Sequence, residues 1–80
     1  MGVRNAVINR IYELCNERNM AINALANIAG VTPSTIYGLF HLSRKDMGIV
    51  IIKKICDGLE ITLAEFFDTK EFNELEQEIK

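Results

Sequence analysis

Apolar residues recur along most of the chain with the period of an α-helix. Val7, Ile11, Leu14 and Cys15 fall at i, i+4, i+7 and i+8, one face of a first helix expected over about residues 3–18. Arg4, Arg10, Glu13, Glu17 and Arg18 occupy its other faces, and residues 16–19 break the pattern. A second helix over residues 22–29 turns Leu25, Ala26 and Ala29 inward. Its N-cap position is Ala21, which has no side-chain acceptor, a loss of about 1 kcal/mol. Gly30 ends it by taking the left-handed conformation favoured just past a helix C-terminus. A third helix opens Thr32-Pro33-Ser34, with Thr32 suited to cap and Pro33 pre-set for the first turn. It buries Ile36 and Leu39 and should end at Phe40 or His41.

After a polar connection over residues 41–46, a fourth helix starts at Asp46 or Gly48. Its stripe is Ile49, Ile52, Ile55, Cys56 and Leu59, with Lys53 and Lys54 pointing away. The β-branched run at residues 49–52 would suit a strand, but the helical period persists for about ten residues and no partner strand is evident. Thr62 and Glu65 form a capping box ahead of Leu63, Phe66 and Phe67. Residues 68–71 can cap a last helix carrying Phe72, Leu75 and Ile79 on a strongly acidic background. The expected architecture is all-α: five helices in a domain over residues 1–68, and a short acidic sixth helix or tail over residues 69–80. A core this small is thin, so the tail helix or a partner subunit is expected to complete it.

Composition narrows the class. With 49% apolar residues, one proline and five glycines in 80 residues, the chain suits one packed domain rather than a linker. No apolar run nears the roughly 20 residues that span a bilayer, and the start of the chain lacks the pattern of a signal peptide. A cytoplasmic location is the expectation. Cys15 and Cys56 are far apart, with no CxxC and no His pair, so zinc is not expected. Reduced core cysteines are the simpler reading, and a redox pair the alternative. The net charge of −2 conceals an asymmetry: residues 1–56 carry seven Lys/Arg and three Asp/Glu, and residues 57–80 carry two Lys and eight Asp/Glu. A basic body suits nucleic acid, and the acidic end suits solvent or a partner.

Two short helices joined at a tight turn, with Ala26 permitting close approach and Gly30 at the corner, make a helix-turn-helix. In such units the second helix characteristically enters the DNA major groove. At this point the chain resembles a known family. MAINALANIAGVTPSTIYGLF followed by IIKKICDGLEITLAEFFD is similar to the Cro/cI-type (XRE-like) helix-turn-helix transcriptional regulators, in one register over residues 3–68. The resemblance implies a five-helix, lambda-repressor-like domain, usually dimeric, that binds operator DNA through its third helix. Five positions depart from the family pattern. Ile22 replaces a polar residue used on phosphate, Leu42 a glycine, and Met47 a proline, while Val50 and Ile51 stand where polar residues are frequent.

In the family's register the groove-facing positions are Thr32, Pro33, Ser34, Thr35, Tyr37, Gly38 and His41. None is Arg, Lys, Asn or Gln, the strong readers of base edges. Ser34 and Thr35 can bond to several bases. Tyr37 suits either a base or phosphate contact or a packing role under the loop, and His41 a helix-end cap. Phosphate candidates are Asn23, Arg44, Lys45, Lys53 and Lys54; the last two suit equally a solvated helix face. Met47, Val50 and Ile51 are candidates for a dimer seam, or for closing the core against the C-terminal helix.

A sequence-specific DNA-binding regulator, a repressor on double-stranded DNA as a homodimer, is therefore the expected function. The alternative is a protein-interaction module on the same fold with reduced or lost DNA binding, suggested by Phe40, Leu42, Met47, Val50 and Ile51. No enzyme chemistry, cofactor, metal or small-molecule ligand is expected: there is one histidine, no nucleophile–base motif and no phosphate-cradling glycine loop.

Overall fold

A computed structural model describes residues 2–41 and 46–79. Among them six helices follow one another: α1 (Val3–Glu17), α2 (Ile22–Ala29), α3 (Pro33–Leu39), α4 (Ile49–Leu59), α5 (Leu63–Phe67) and α6 (Lys70–Asn73). The stripes read from the sequence converge on one core. Val7, Ile11, Leu14 and Cys15 of α1 meet Leu25, Ala26 and Ala29 of α2, Ile36 and Leu39 of α3, Ile52, Ile55, Cys56 and Leu59 of α4, and Phe66 of α5. Burying one large apolar side chain contributes roughly 1.5–3 kcal/mol, so these side chains outweigh the helix propensities of such short segments.

Three helices end in the same way. After α1, Asn19 is left-handed (φ 50°), its N–H donates to the Asn16 carbonyl at 3.2 Å, and the Met20 N–H donates to the Cys15 carbonyl at 2.9 Å. Gly30 (φ 72°) and Val31 repeat this after α2, and Glu60 (φ 59°) and Ile61 after α4. Each is a Schellman motif, and each is followed by an apolar residue, Met20, Val31 or Ile61, packed on the core. The expected capping box opens α5: Thr62 Oγ1 accepts from the Glu65 N–H at 3.0 Å, and Glu65 Oε1 accepts from the Thr62 N–H at 2.9 Å.

Four local expectations change. Thr32 makes no cap bond to the α3 backbone, because its hydroxyl bonds Ser34 Oγ at 2.9 Å and Thr35 Oγ1 at 3.0 Å instead. Ile49 does not join the core stripe; at the first turn of α4 it is 58% exposed. The acidic C-terminal helix is a single turn ending at Asn73, and Ile79 is exposed. Thr69 caps that turn, accepting from the Phe72 N–H at 3.4 Å. The turn places Phe72 against Phe66 and Phe67, with ring centroids 6.2 and 4.9 Å apart. Finally, Met47 is buried (6% exposed) in the protomer's own core. As a member of the core cluster it is not free to form a dimer seam. Leu42, Arg44 and Lys45 lie outside the described residues.

Candidate nucleic-acid interface

The α2–turn–α3 unit is held from below by complete burial of Leu25, Ala26, Ile36 and Leu39. With Ile36 and Leu39 inward, helical geometry turns Ser34, Tyr37 and His41 (i, i+3, i+7) to the opposite face. All three are exposed, as are Thr32 and Pro33, while Thr35 and Gly38 are half-buried at its margins. The seven groove-facing positions therefore lie together on one short stretch of surface, and none carries a formal charge at pH 7 with His41 neutral.

At the start of α2, Ala21 provides no side-chain cap. The first N–H groups of that helix are accordingly unclaimed by a cap and suit an anion. Asn23 is exposed in the same turn. Ile22 is buried, so its side chain belongs to the core. Lys53 and Lys54 are exposed on α4. Lys53 pairs with Asp57 one turn on, and the hydrogen bond to that carboxylate holds its ammonium pKa above the usual value.

Residues that the sequence placed off the apolar stripe of the first helix organise the other helix ends. The last turns of α3, α4 and α5 contain no basic residue, so their terminal carbonyls need donors from elsewhere. Arg4 and Arg10 of α1 and Arg18 at its C-cap supply them. Arg4 donates to the carbonyls of Phe40 and His41 at the end of α3, the latter at 3.3 Å. Arg10 donates to the Phe66 and Glu65 carbonyls at 2.7 and 2.9 Å, and Arg18 to the Leu59 carbonyl at 3.3 Å. A guanidinium at each helix C-terminus also complements the helix dipole, typically by 0.3–1 kcal/mol. Beside the first of these clamps, Tyr12 of α1 stacks on Phe40 (centroids 5.1 Å), and Phe40 meets the edge of Tyr37 (6.0 Å, 88°).

Cys15 and Cys56 are both free and buried. Burial pushes each thiol pKa up, against smaller downward effects of Arg18 and Lys53 respectively. Among the described residues, no group of three or more His, Cys, Asp or Glu is placed to hold a metal ion. No helix among them is long and apolar enough to cross a membrane.

The fold and its exposed third helix define a helix-turn-helix domain of the repressor-like kind. Residues 10–71 match the Cro/C1-type HTH DNA-binding domain, and the chain belongs to that family. A solved structure described as the prophage Lp1 protein 11 superimposes with a TM-score of 0.82 at 33% identity, covering 94% of this chain and 100% of that one. Curated protein sequences give no match.

Proposed function

We propose that the protein is a sequence-specific transcriptional regulator, acting as a repressor in the cytoplasm, with α3 in the major groove of double-stranded DNA. The observation that carries this reading is the uncovered Ser34–Tyr37–His41 face of α3, set on a buried α2–α3 corner within a Cro/C1-type domain. Thr32, Pro33, Ser34, Thr35, Tyr37, Gly38 and His41 are the base-reading set. Asn23 with the uncapped start of α2, Arg44, Lys45 and Lys54 hold the phosphates, and Lys53 joins them only by giving up Asp57. Occupying an operator needs no surface beyond these, and simple exclusion of polymerase makes repression the matching outcome.

The base-reading set offers few strong hydrogen-bonding partners, so one protomer discriminates weakly and two half-sites are needed. We place the homodimer contact at the exposed start of α4, where Ile49 and Val50 are 58% and 65% exposed. Ile51 is half-buried against the core and supports that surface from below.

Selection of bound duplexes from a random pool tests the reading, followed by titration of the selected site at several salt concentrations. Affinity should fall by about 0.9 log units per log unit of salt for each phosphate neutralised. Failure to enrich any sequence, or binding indifferent to salt, refutes it. The exposed Ile49–Val50 pair favours one second reading, a protein-interaction module of the same fold. Retained self-association with no DNA enrichment would select it.

A further inference from the structure

We infer that α3 discriminates DNA through the C5-methyl groups of thymine, with Tyr37 as the discriminating side chain and Tyr12 as the residue that positions it. The inference rests on the proposed DNA-binding function. On the outward stripe of α3 the hydroxyls of Thr32, Ser34 and Thr35 bond one another, and no Arg, Lys, Asn or Gln is present. The Tyr37 ring, 51% exposed, is the largest group there. A Cβ added to the adjacent Gly38 would meet nothing within 4 Å, so the surface beside the ring is open. The thymine methyl is the one apolar group that base edges present in the major groove, and an exposed ring edge gains by removing it from water.

Discrimination also requires that the ring be held in place. Tyr37 is braced edge-on by Phe40, and Phe40 is stacked at 29° on Tyr12 of α1. Arg4 fixes the Phe40 carbonyl. Tyr12 thus acts on the groove face through another ring.

The test replaces thymines of the selected site one at a time by uracil, which deletes only the methyl. Binding is measured at fixed salt for the unmodified protein and for Tyr37→Ala, Tyr37→Phe and Tyr12→Ala. Uracil should weaken the unmodified protein by about fourfold for each fully buried methyl. Tyr37→Phe should keep that penalty and Tyr37→Ala abolish it. Tyr12→Ala should shrink it with the salt slope unchanged, a result that general loss of stability would not give. Equal affinity for thymine and uracil sites, or a penalty that survives Tyr37→Ala, overturns the inference while leaving the DNA-binding reading intact. An undiminished penalty in Tyr12→Ala overturns the positioning role. Absence of binding to every duplex overturns the reading beneath both.

Discussion

At Gly58, α4 lies close against the backbone of α2. A methyl group built on it would lie 2.7 Å from the Ile28 carbonyl oxygen, 2.9 Å from the Ile28 carbonyl carbon and 3.0 Å from the Ala29 nitrogen. All three are backbone atoms of α2, so no rotamer change relieves the clash. A carbon–oxygen contact settles at about 3.3 Å or more, so in Gly58→Ala the two helices must separate by roughly 0.6 Å at this point. The contact concerned, α2 on α4, is the most extensive between helices in the domain, and it supports α3 from behind. Overpacking of this kind costs roughly 1–3 kcal/mol. Replacing a helical glycine by alanine returns about 1 kcal/mol, leaving a net loss of up to about 2 kcal/mol. In a domain of this size that lowers the melting temperature by up to about 16 °C. Gly38→Ala is the control: it makes the same change inside α3, where nothing lies within 4 Å, and it should raise the melting temperature by a few degrees, up to about 1 kcal/mol. Thermal denaturation followed by circular dichroism compares the pair directly. A Gly58→Ala protein as stable as Gly38→Ala would refute the close approach of α2 and α4.

Three further outcomes follow from the helix ends and the thiols. Ala21→Asp supplies the missing α2 cap and should stabilise the fold by about 1 kcal/mol, yet weaken DNA binding by setting a carboxylate against phosphate. Unchanged affinity in filter binding would remove the start of α2 from the interface. Glu60→Gly relieves a left-handed residue that costs roughly 1–2 kcal/mol, against about 0.4–1 kcal/mol of extra unfolded-chain entropy. Urea denaturation should show a net gain of about 0.5–1 kcal/mol, and a loss would mean that the Glu60 side chain contributes more than its backbone strain. Because burial raises both thiol pKa values, the folded state keeps protons that the unfolded chain releases above pH ~8.5. The thiols' contribution to stability should be constant below that pH and fall above it, by at most about 1.4 kcal/mol per pH unit for each thiol. A Cys15→Ala/Cys56→Ala protein measured at pH 8 and 9.5 should lose that part of the decline.

The elements legible in the sequence were those whose local chemistry and tertiary role coincide. Gly30 could be read because glycine, a left-handed turn and a following apolar residue agree. Glu60 sits in the same motif but is not legible, since glutamate disfavours the left-handed region and the turn is held by its Schellman bonds and by the packing of the half-buried Ile61 on the core. Thr62 and Glu65 announced their helix because a capping box is complete within four residues. Thr32 has the same residue type at the same kind of position, yet its hydroxyl went to Ser34 and Thr35, a choice that composition does not encode. Ile49 and Met47 exchanged their expected roles for a similar reason. The period alone cannot say where α4 leaves the core, and Met47 is unbranched and flexible enough to pack into the core cluster.

Arg4, Arg10 and Arg18 also change what the charge pattern means. Three of the seven Lys/Arg in residues 1–56 are Arg4, Arg10 and Arg18, and their donors are engaged on the carbonyls that end α3, α5 and α4. A fourth, Lys53, is paired with Asp57. These charges still contribute to the long-range field that steers a polyanion, but contact with phosphate would break bonds that hold the domain together. The other three of the seven are Arg44, Lys45 and Lys54, the cations proposed above for phosphate. A protomer that neutralises about three phosphates has a salt slope of about −2.7, and a dimer about −5.4. The steepness of the salt dependence thus reports whether two protomers act together, and whether the basic excess of the body works at the DNA or within the fold.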